Sequence, residues 1–222
     1  YPNEQPNKFI TIENGYYIAS SLDDSPYVKK TKFQLLYSGS LYANGRDPKP
    51  LFMALAQLKK QGVIAKDNFI LTFRPGKHNS FKPLLTELAI SELVEFLPAT
   101  SFKSALAEMY QASATVLIQD EIFHRQIPGK IYDYISVKRP ILAITPKNSA
   151  TADLVKELHF AKSAWGTQEI ASQLEELLNN NEGIISCHSI KQYSRKAKTI
   201  QLVDTFNKVS EAHLTNNDQS TK

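Results

Sequence analysis

A single cysteine, Cys187, occurs in the 222 residues of the chain. That excludes an internal disulfide framework and fits a reducing compartment. No apolar run approaches the roughly 18 residues of a membrane-spanning helix. No secretory signal pattern is visible, although the chain begins with Tyr1, which leads to the expectation of a piece cut from a longer protein, any targeting segment included. Metal and nucleophile signatures are missing too. There is no Cys/His cluster with zinc spacing, so no metal is expected. There is no Gly-x-Ser-x-Gly elbow. No aromatic-plus-basic strand pair suits nucleic-acid readout, so no nucleic-acid partner is expected. Charge of one sign is also scarce: 26 basic against 22 acidic residues leave a net charge of +4 and a pI of about 9.0. Such an excess permits an anionic ligand or a peripheral membrane contact, and a solvated surface explains it equally well. What is present is 42% hydrophobic and 22% charged residues, the composition of a globular protein with room for one sizeable α/β domain and extra segments.

The chain alternates two kinds of segment. Strand-like apolar runs fall at Phe33–Tyr37, Phe69–Phe73, Leu93–Phe96, Thr115–Ile118, Ile141–Ile144 and Ala161–Ala164, with a further short run at Phe9–Ile12. Between them lie helical stripes. Phe102, Ala105, Leu106, Met109 and Tyr110 follow an i, i+3, i+4, i+7, i+8 spacing, with Ser101 placed to cap them. Leu51, Phe52, Leu55 and Leu58 form another stripe behind Pro48; Phe81, Leu84, Leu85 and Leu88 a third; Ile170, Leu174, Leu177 and Leu178 a fourth after Thr167. Alternating strands and helices imply βαβ units: an α/β fold with a Rossmann-like parallel sheet and helices on both faces. The pattern divides the chain into an N-terminal extension and linker over 1–32, an α/β domain over 33–188, and a long basic helix with a polar, disordered tail over 189–222.

In such sheets ligands bind beyond the carboxyl ends of the strands, so the loops after strands carry the search. The richest is the stretch from Gln126 to Ile144. Pro128 and Gly129 close a loop, Lys130 opens a helix, and Asp133 lies about one turn further on. A helix N-terminus offers unpaired N–H groups and partial positive charge. Lys130 adds a full charge, and Asp133 an acceptor for sugar hydroxyls. The combination suits a diphosphate next to a ribose. The first loop, Ser38 to Pro48, holds Gly39, Ser40, Gly45 and Arg46. It matches neither the dinucleotide fingerprint nor the phosphate loop of nucleotide hydrolases, and on its own a structural turn explains it as well as a phosphate site. The second loop, Arg74 to Asn79, is basic but taken singly reads as a solvated turn. Leu97-Pro-Ala-Thr is almost neutral. The long fourth loop, Gln119 to Gly129, contains His124, which by itself reads as a polar loop residue, because no neighbouring pattern supports a metal or a triad.

Taken in order, these segments resemble the C-terminal half of a GT-B glycosyltransferase, closest to the family 4-like enzymes, over about residues 9–212. The carrying segments are Ile12-Glu-Asn-Gly-Tyr16, Phe33-Gln-Leu-Leu-Tyr-Ser-Gly-Ser-Leu-Tyr, Val94-Glu-Phe-Leu-Pro98, and Pro128-Gly-Lys-Ile-Tyr-Asp-Tyr-Ile with Arg139-Pro-Ile-Leu. The resemblance implies a nucleotide-sugar donor whose diphosphate is held by Gly39, Ser40, Arg46, Gly129 and Lys130. It implies a ribose contact at Asp133, base contacts at Arg74, Phe96, Leu97 and Pro98, and sugar-proximal positions at His124, Arg125 and Gln126. Many relatives carry two acids with seven residues between; here the second is Asp133 and Arg125 stands at the first. No catalytic residue is assigned, and no cofactor or metal is implied. The acceptor would bind a missing N-terminal domain of the same protein, reached by the last long helix. The expected product is a surface polysaccharide or glycan, and the expected location is the cytoplasm, at the inner face of the membrane. A nucleotide-sugar epimerase of the same architecture would need more acidic and His groups near the sugar than His124 alone. A degenerate, non-catalytic interaction domain is what Arg125 in place of an acid favours.

Overall fold

The computed structural model of the protein describes residues 3–5, 8–17, 27–28, 30–41, 44–76, 80–180 and 188–219. Tyr42 and Ala43 of the glycine loop, Lys77-His78-Asn79 of the second loop, Cys187, and most of the linker over 20–32 lie outside the described residues.

Six strands, β1 (Phe33–Ser38), β2 (Phe69–Arg74), β3 (Val94–Phe96), β4 (Ala114–Ile118), β5 (Ile141–Ile144) and β6 (Ala161–Ala164), form a parallel sheet in the order β3-β2-β1-β4-β5-β6. The crossovers carry α1 (Lys49–Lys60), α2 (Lys82–Glu87), α3 (Phe102–Gln111), α4 (Lys130–Ser136) and α5 (Ala150–Lys156). After β6 come α6 (Thr167–Asn179) and α7 (Arg195–Gln219). All six residues of β1 are buried, as expected of a central parallel strand covered on both faces. Alternate side chains feed two cores. Leu35 and Tyr37 join α1, α2 and α6 through Phe52, Leu55, Leu85 and Leu174. Leu36 joins α3, α4 and α5 through Leu106, Ile131, Ile135 and Val155. Each such fully buried Leu or Phe contributes about 1.5–3 kcal/mol.

The strand order fixes where a ligand can sit. From β1 the chain steps outward to β2 and β3, then returns to β4 on the other side of β1. Connections leaving β1 and β4 therefore diverge, which opens a crevice at their carboxyl ends. The register pairs Leu35 with Ala114 and Leu36 with Thr115. It is the Gly39 loop and the Gln119 loop that flank the crevice.

Four sequence expectations are corrected. Phe9–Ile12 is not a strand; Phe9 and Ile10 are exposed, and the pairing there is an isolated bridge between Tyr16 and Ser194. Leu93 belongs to a 3-10 turn, Ser91–Leu93, that leads into β3. The last helix does not begin at Ser189. A 3-10 turn spans His188–Tyr193, and Ser194 Oγ then accepts from Ala197 N at 3.2 Å and starts α7. The helix runs on to Gln219 through residues expected to be disordered, a stretch with no Pro or Gly to end it. Ser101 caps α3 as expected, accepting from Ser104 N at 3.1 Å.

Candidate functional site

The start of α4 is pinned to the end of β1 by Tyr134. Its fully buried hydroxyl accepts from Ser38 N at 2.9 Å and donates to Ser38 O at 3.2 Å. Burial pushes the phenol well above its ordinary pKa, so it stays protonated and keeps both bonds. That places Lys130, at the first position of α4, against the glycine that follows β1. Gly39 has φ +136°, and a Cβ there would run into Lys130 Nζ. Only glycine combines that backbone with that approach. The Lys130 Nζ atom is itself buried and has no hydrogen-bond partner among the described residues. It lies 4.1 Å from the centroid of the Tyr37 ring. Burial, and secondarily the like charge of Arg46, pull its pKa down to about 7. No side chain caps α4; a Cβ at Gly129 would meet only Asn14 Nδ2, at 3.4 Å.

Arg46 and Ser40 meet on the other wall: Arg46 Nη1 donates to Ser40 O at 3.1 Å, and Tyr37 OH donates to the same carbonyl at 3.1 Å. Gly45, with φ +91°, lies under the Phe123 ring, and its carbonyl accepts from Asp120 N at 3.0 Å. The glycine loop and the fourth loop are thus stitched together. Asp133 is half-buried one turn into α4. Burial raises its pKa, and the facing Arg195 offsets part of that rise. Arg195 also donates from Nε to Gly15 O at 3.1 Å. The structure therefore gathers Gly39, Ser40, Arg46, Gly129, Lys130 and Asp133, all expected, and adds Tyr37, Tyr134, Asn14 and Arg195, which sequence spacing alone does not reveal.

The remaining expected residues do structural work nearby. Arg74 forms an ion pair with Glu108 at 2.5 Å and donates to Pro98 O at 2.7 Å. The Phe96 ring is stacked on Phe73 at 5.1 Å and on Phe81 at 6.1 Å. Leu97 bonds through its backbone to Phe73 O and Gly76 N. Beside this strip the stretch Pro98-Ala-Thr is exposed. His124 is held by Glu121 O at 2.8 Å, and its own carbonyl accepts from Ala150 N at the start of α5. Arg125 and Gln126 are exposed.

The fourth loop owes its shape to Gln119, a buried residue the sequence pattern does not single out. Its Nε2 donates to Phe123 O at 2.7 Å and Gln126 O at 2.8 Å. Its Oε1 accepts from Thr145 Oγ1 at 3.0 Å, and Thr145 Oγ1 is bonded to Ser149 Oγ, the N-cap of α5. Replacing Gln119 by Ala strands these buried partners, and the expected loss is roughly 1–3 kcal/mol. The midpoint of chemical unfolding measures it; an unchanged midpoint would mean the network contributes nothing net.

Among the described residues no group of three His, Cys, Asp or Glu is placed to hold a metal, and no helix is long and apolar enough to cross a membrane. A cavity of about 600 Å³ lies to one side, lined by Glu13, Ile127, Asp153, Glu157, Tyr193 and Lys198. Two of its carboxylates are taken: Glu13 accepts from Tyr132 OH at 3.1 Å and Glu157 from Tyr193 OH at 2.8 Å.

A parallel α/β unit with a crevice between β1 and β4, where the buried Lys130 Nζ has no partner among the described residues, has a Rossmann-like architecture. No protein-family model matches the sequence, and no curated protein matches it. Solved structures do. The chain is similar to WaaB, a lipopolysaccharide outer core galactosyltransferase in its apo form, with a TM-score of 0.68, 15% identity, and coverage of 93% of this chain and 57% of that one. It is similar to WaaG, a glycosyltransferase involved in lipopolysaccharide biosynthesis, with a TM-score of 0.63, 15% identity, and coverage of 88% and 57%. HepE from Anabaena, in complex with UDP-glucose, gives a TM-score of 0.54, 14% identity, and coverage of 80% and 49%. At these identities the likeness is one of fold: the chain has the fold of a GT-B glycosyltransferase C-terminal domain. It spans about half to three fifths of the length of the structures it matches.

Proposed function

We propose that this chain is the donor half of a glycosyltransferase: it binds a nucleotide-sugar, and a partner half outside this sequence binds the acceptor. The observation that carries the reading is Lys130 Nζ, buried without an acceptor against Gly39. A desolvated ammonium is costly unless an anion joins it, and a diphosphate seated between Gly39 and the start of α4 would supply that anion. Arg46, at the mouth, adds charge for the outer phosphate. Asp133 would accept from ribose hydroxyls, and Pro98-Ala-Thr would border the base. In transfer, the leaving diphosphate gains negative charge, and Lys130 and Arg46 would already face that charge, so no metal is required by the reading. No carboxylate at position 125 serves the sugar, so the chain by itself is expected to bind without turnover.

The distal face of α7 suits the partner half. Leu202, Val203, Phe206 and Val209 recur at i, i+1, i+4 and i+7 and are all exposed, Phe206 by 61%. Glycan or surface-polysaccharide synthesis at the inner face of the membrane is the setting this reading implies. The Arg125 position favours one alternative, a degenerate, non-catalytic interaction domain that keeps the fold without the ligand.

The test is calorimetric titration of the chain with UDP, GDP, ADP and CDP. One nucleotide is expected to bind, and Asp133→Ala is expected to weaken it by about 1.5–3 kcal/mol, the value of hydrogen bonds to a charged group. Binding by none of the four would end the donor-site reading, and sugar transfer by the chain alone would end the two-half account.

A further inference from the structure

Lys130 would be an unusual phosphate ligand, because nothing among the described residues satisfies it. An ammonium brings three donors, and here none finds an oxygen. On one side is the face of Tyr37, which returns part of the lost hydration through a cation–π contact. On another is the Cα of Gly39. Among the described residues, the charged and titratable groups around it offer no counter-ion. Arg46, from the loop after β1, repels it. The Tyr37 and Tyr134 hydroxyls are engaged with Ser40 O and with Ser38. Asp133, one turn along α4, is paired electrostatically with Arg195 from α7.

We propose that the site takes up one proton from solvent, onto Lys130 Nζ, as it binds the diphosphate of a nucleotide-sugar, so that affinity falls as pH rises. The inference rests on the donor-site reading above and adds its regulation by pH. In the free protein, burial holds the amine close to half-protonated at neutral pH, its pKa down to about 7. In the complex, two phosphate charges replace the missing counter-ion and return the group toward its ordinary value. The bound state therefore holds more protons than the free state above about pH 7, and linkage makes binding weaker there. Below about pH 6 the group is charged in both states and affinity is flat.

The experiment is titration calorimetry with UDP-glucose, ADP-glucose and GDP-mannose, whose diphosphates are diesters and do not titrate near neutrality. Run at pH 8 in HEPES and in Tris, the dependence of the heat on buffer ionisation counts protons. The expected count is about 0.9 proton taken up per ligand, with Kd rising about fivefold from pH 7 to 8 and about ninefold from 8 to 9. Lys130→Arg, charged at every pH used, is expected to bind with no uptake and a flat profile. Binding with no uptake by the wild-type chain overturns this inference and leaves the donor site standing. Uptake that persists in Lys130→Arg places the proton elsewhere and also overturns it. Binding of none of the three at any pH from 6 to 9 overturns the donor site itself.

Discussion

Replacing Lys130 by Met is expected to stabilise the free protein while removing nucleotide binding. Two opposite effects from one substitution are the signature of a residue kept for its ligand. In the folded chain the Lys130 pKa is about 7, against 10.5 ordinarily. Its folded value lies below its unfolded value, so the unfolded state binds the extra proton between those limits. Below about pH 7 the ammonium is charged in both states and the fold bears the full cost of burying it; the cost fades as pH rises from 7 toward 10.5. Met fills similar volume without that cost. The gain is on the order of 2–4 kcal/mol at pH 6, discounted for the part of the side chain that reaches solvent, and for a chain of this size that is about 5 °C or more in Tm. At pH 9.5 the gain should shrink to about a third of that value. Melting curves of both proteins at the two pH values read this directly. A lower Tm for the variant at pH 6 would mean that Tyr37 and the surrounding dipoles satisfy the charge after all.

Gly39→Ala is expected to lose the ligand as well, at a small cost in stability. At φ +136° an added Cβ is strained, by roughly 1–3 kcal/mol. It would also run into Lys130 Nζ and come within 3.0 Å of Cε. The lysine is a flexible chain end, so the fold survives by moving it aside, and the ammonium leaves the place where the diphosphate would sit. Displacing one partner of a buried charge pair costs about 2–5 kcal/mol, so affinity should fall at least roughly thirtyfold while the unfolding midpoint shifts only modestly. Unchanged affinity would remove Lys130 and Gly39 from the diphosphate site together.

The strands were legible because a parallel sheet buried on both faces writes itself as short apolar runs; Phe33–Ser38 and Ile141–Ile144 are examples. Ser101 was legible because capping is local. The clustering of Gly39, Gly129 and Lys130 was readable for a related reason: they announce a turn, a helix start and a charge at strand ends, each within a few residues. What could not be read is what lies far apart in sequence. Tyr134 and Ser38 are 96 residues apart, and Arg195 and Gly15 are 180 apart; no periodicity links them. Gln119 looked like any polar loop residue, and only burial beside Thr145 shows that it organises the fourth loop. The expected strand at Phe9–Ile12 failed because apolar alternation without a neighbouring strand has nothing to pair with. Arg74 and Phe96 were placed at the correct strand ends, but an ion pair with Glu108 and a stack on Phe73 occupy them.

The most direct measurement is a structure of the chain with the nucleoside diphosphate that binds best. The account predicts diphosphate oxygens within about 3 Å of Lys130 Nζ, seated between Gly39 and Gly129, with ribose hydroxyls on Asp133. A nucleotide found instead in the cavity beside Glu13 and Glu157, or one that leaves Lys130 Nζ unbonded, would contradict it.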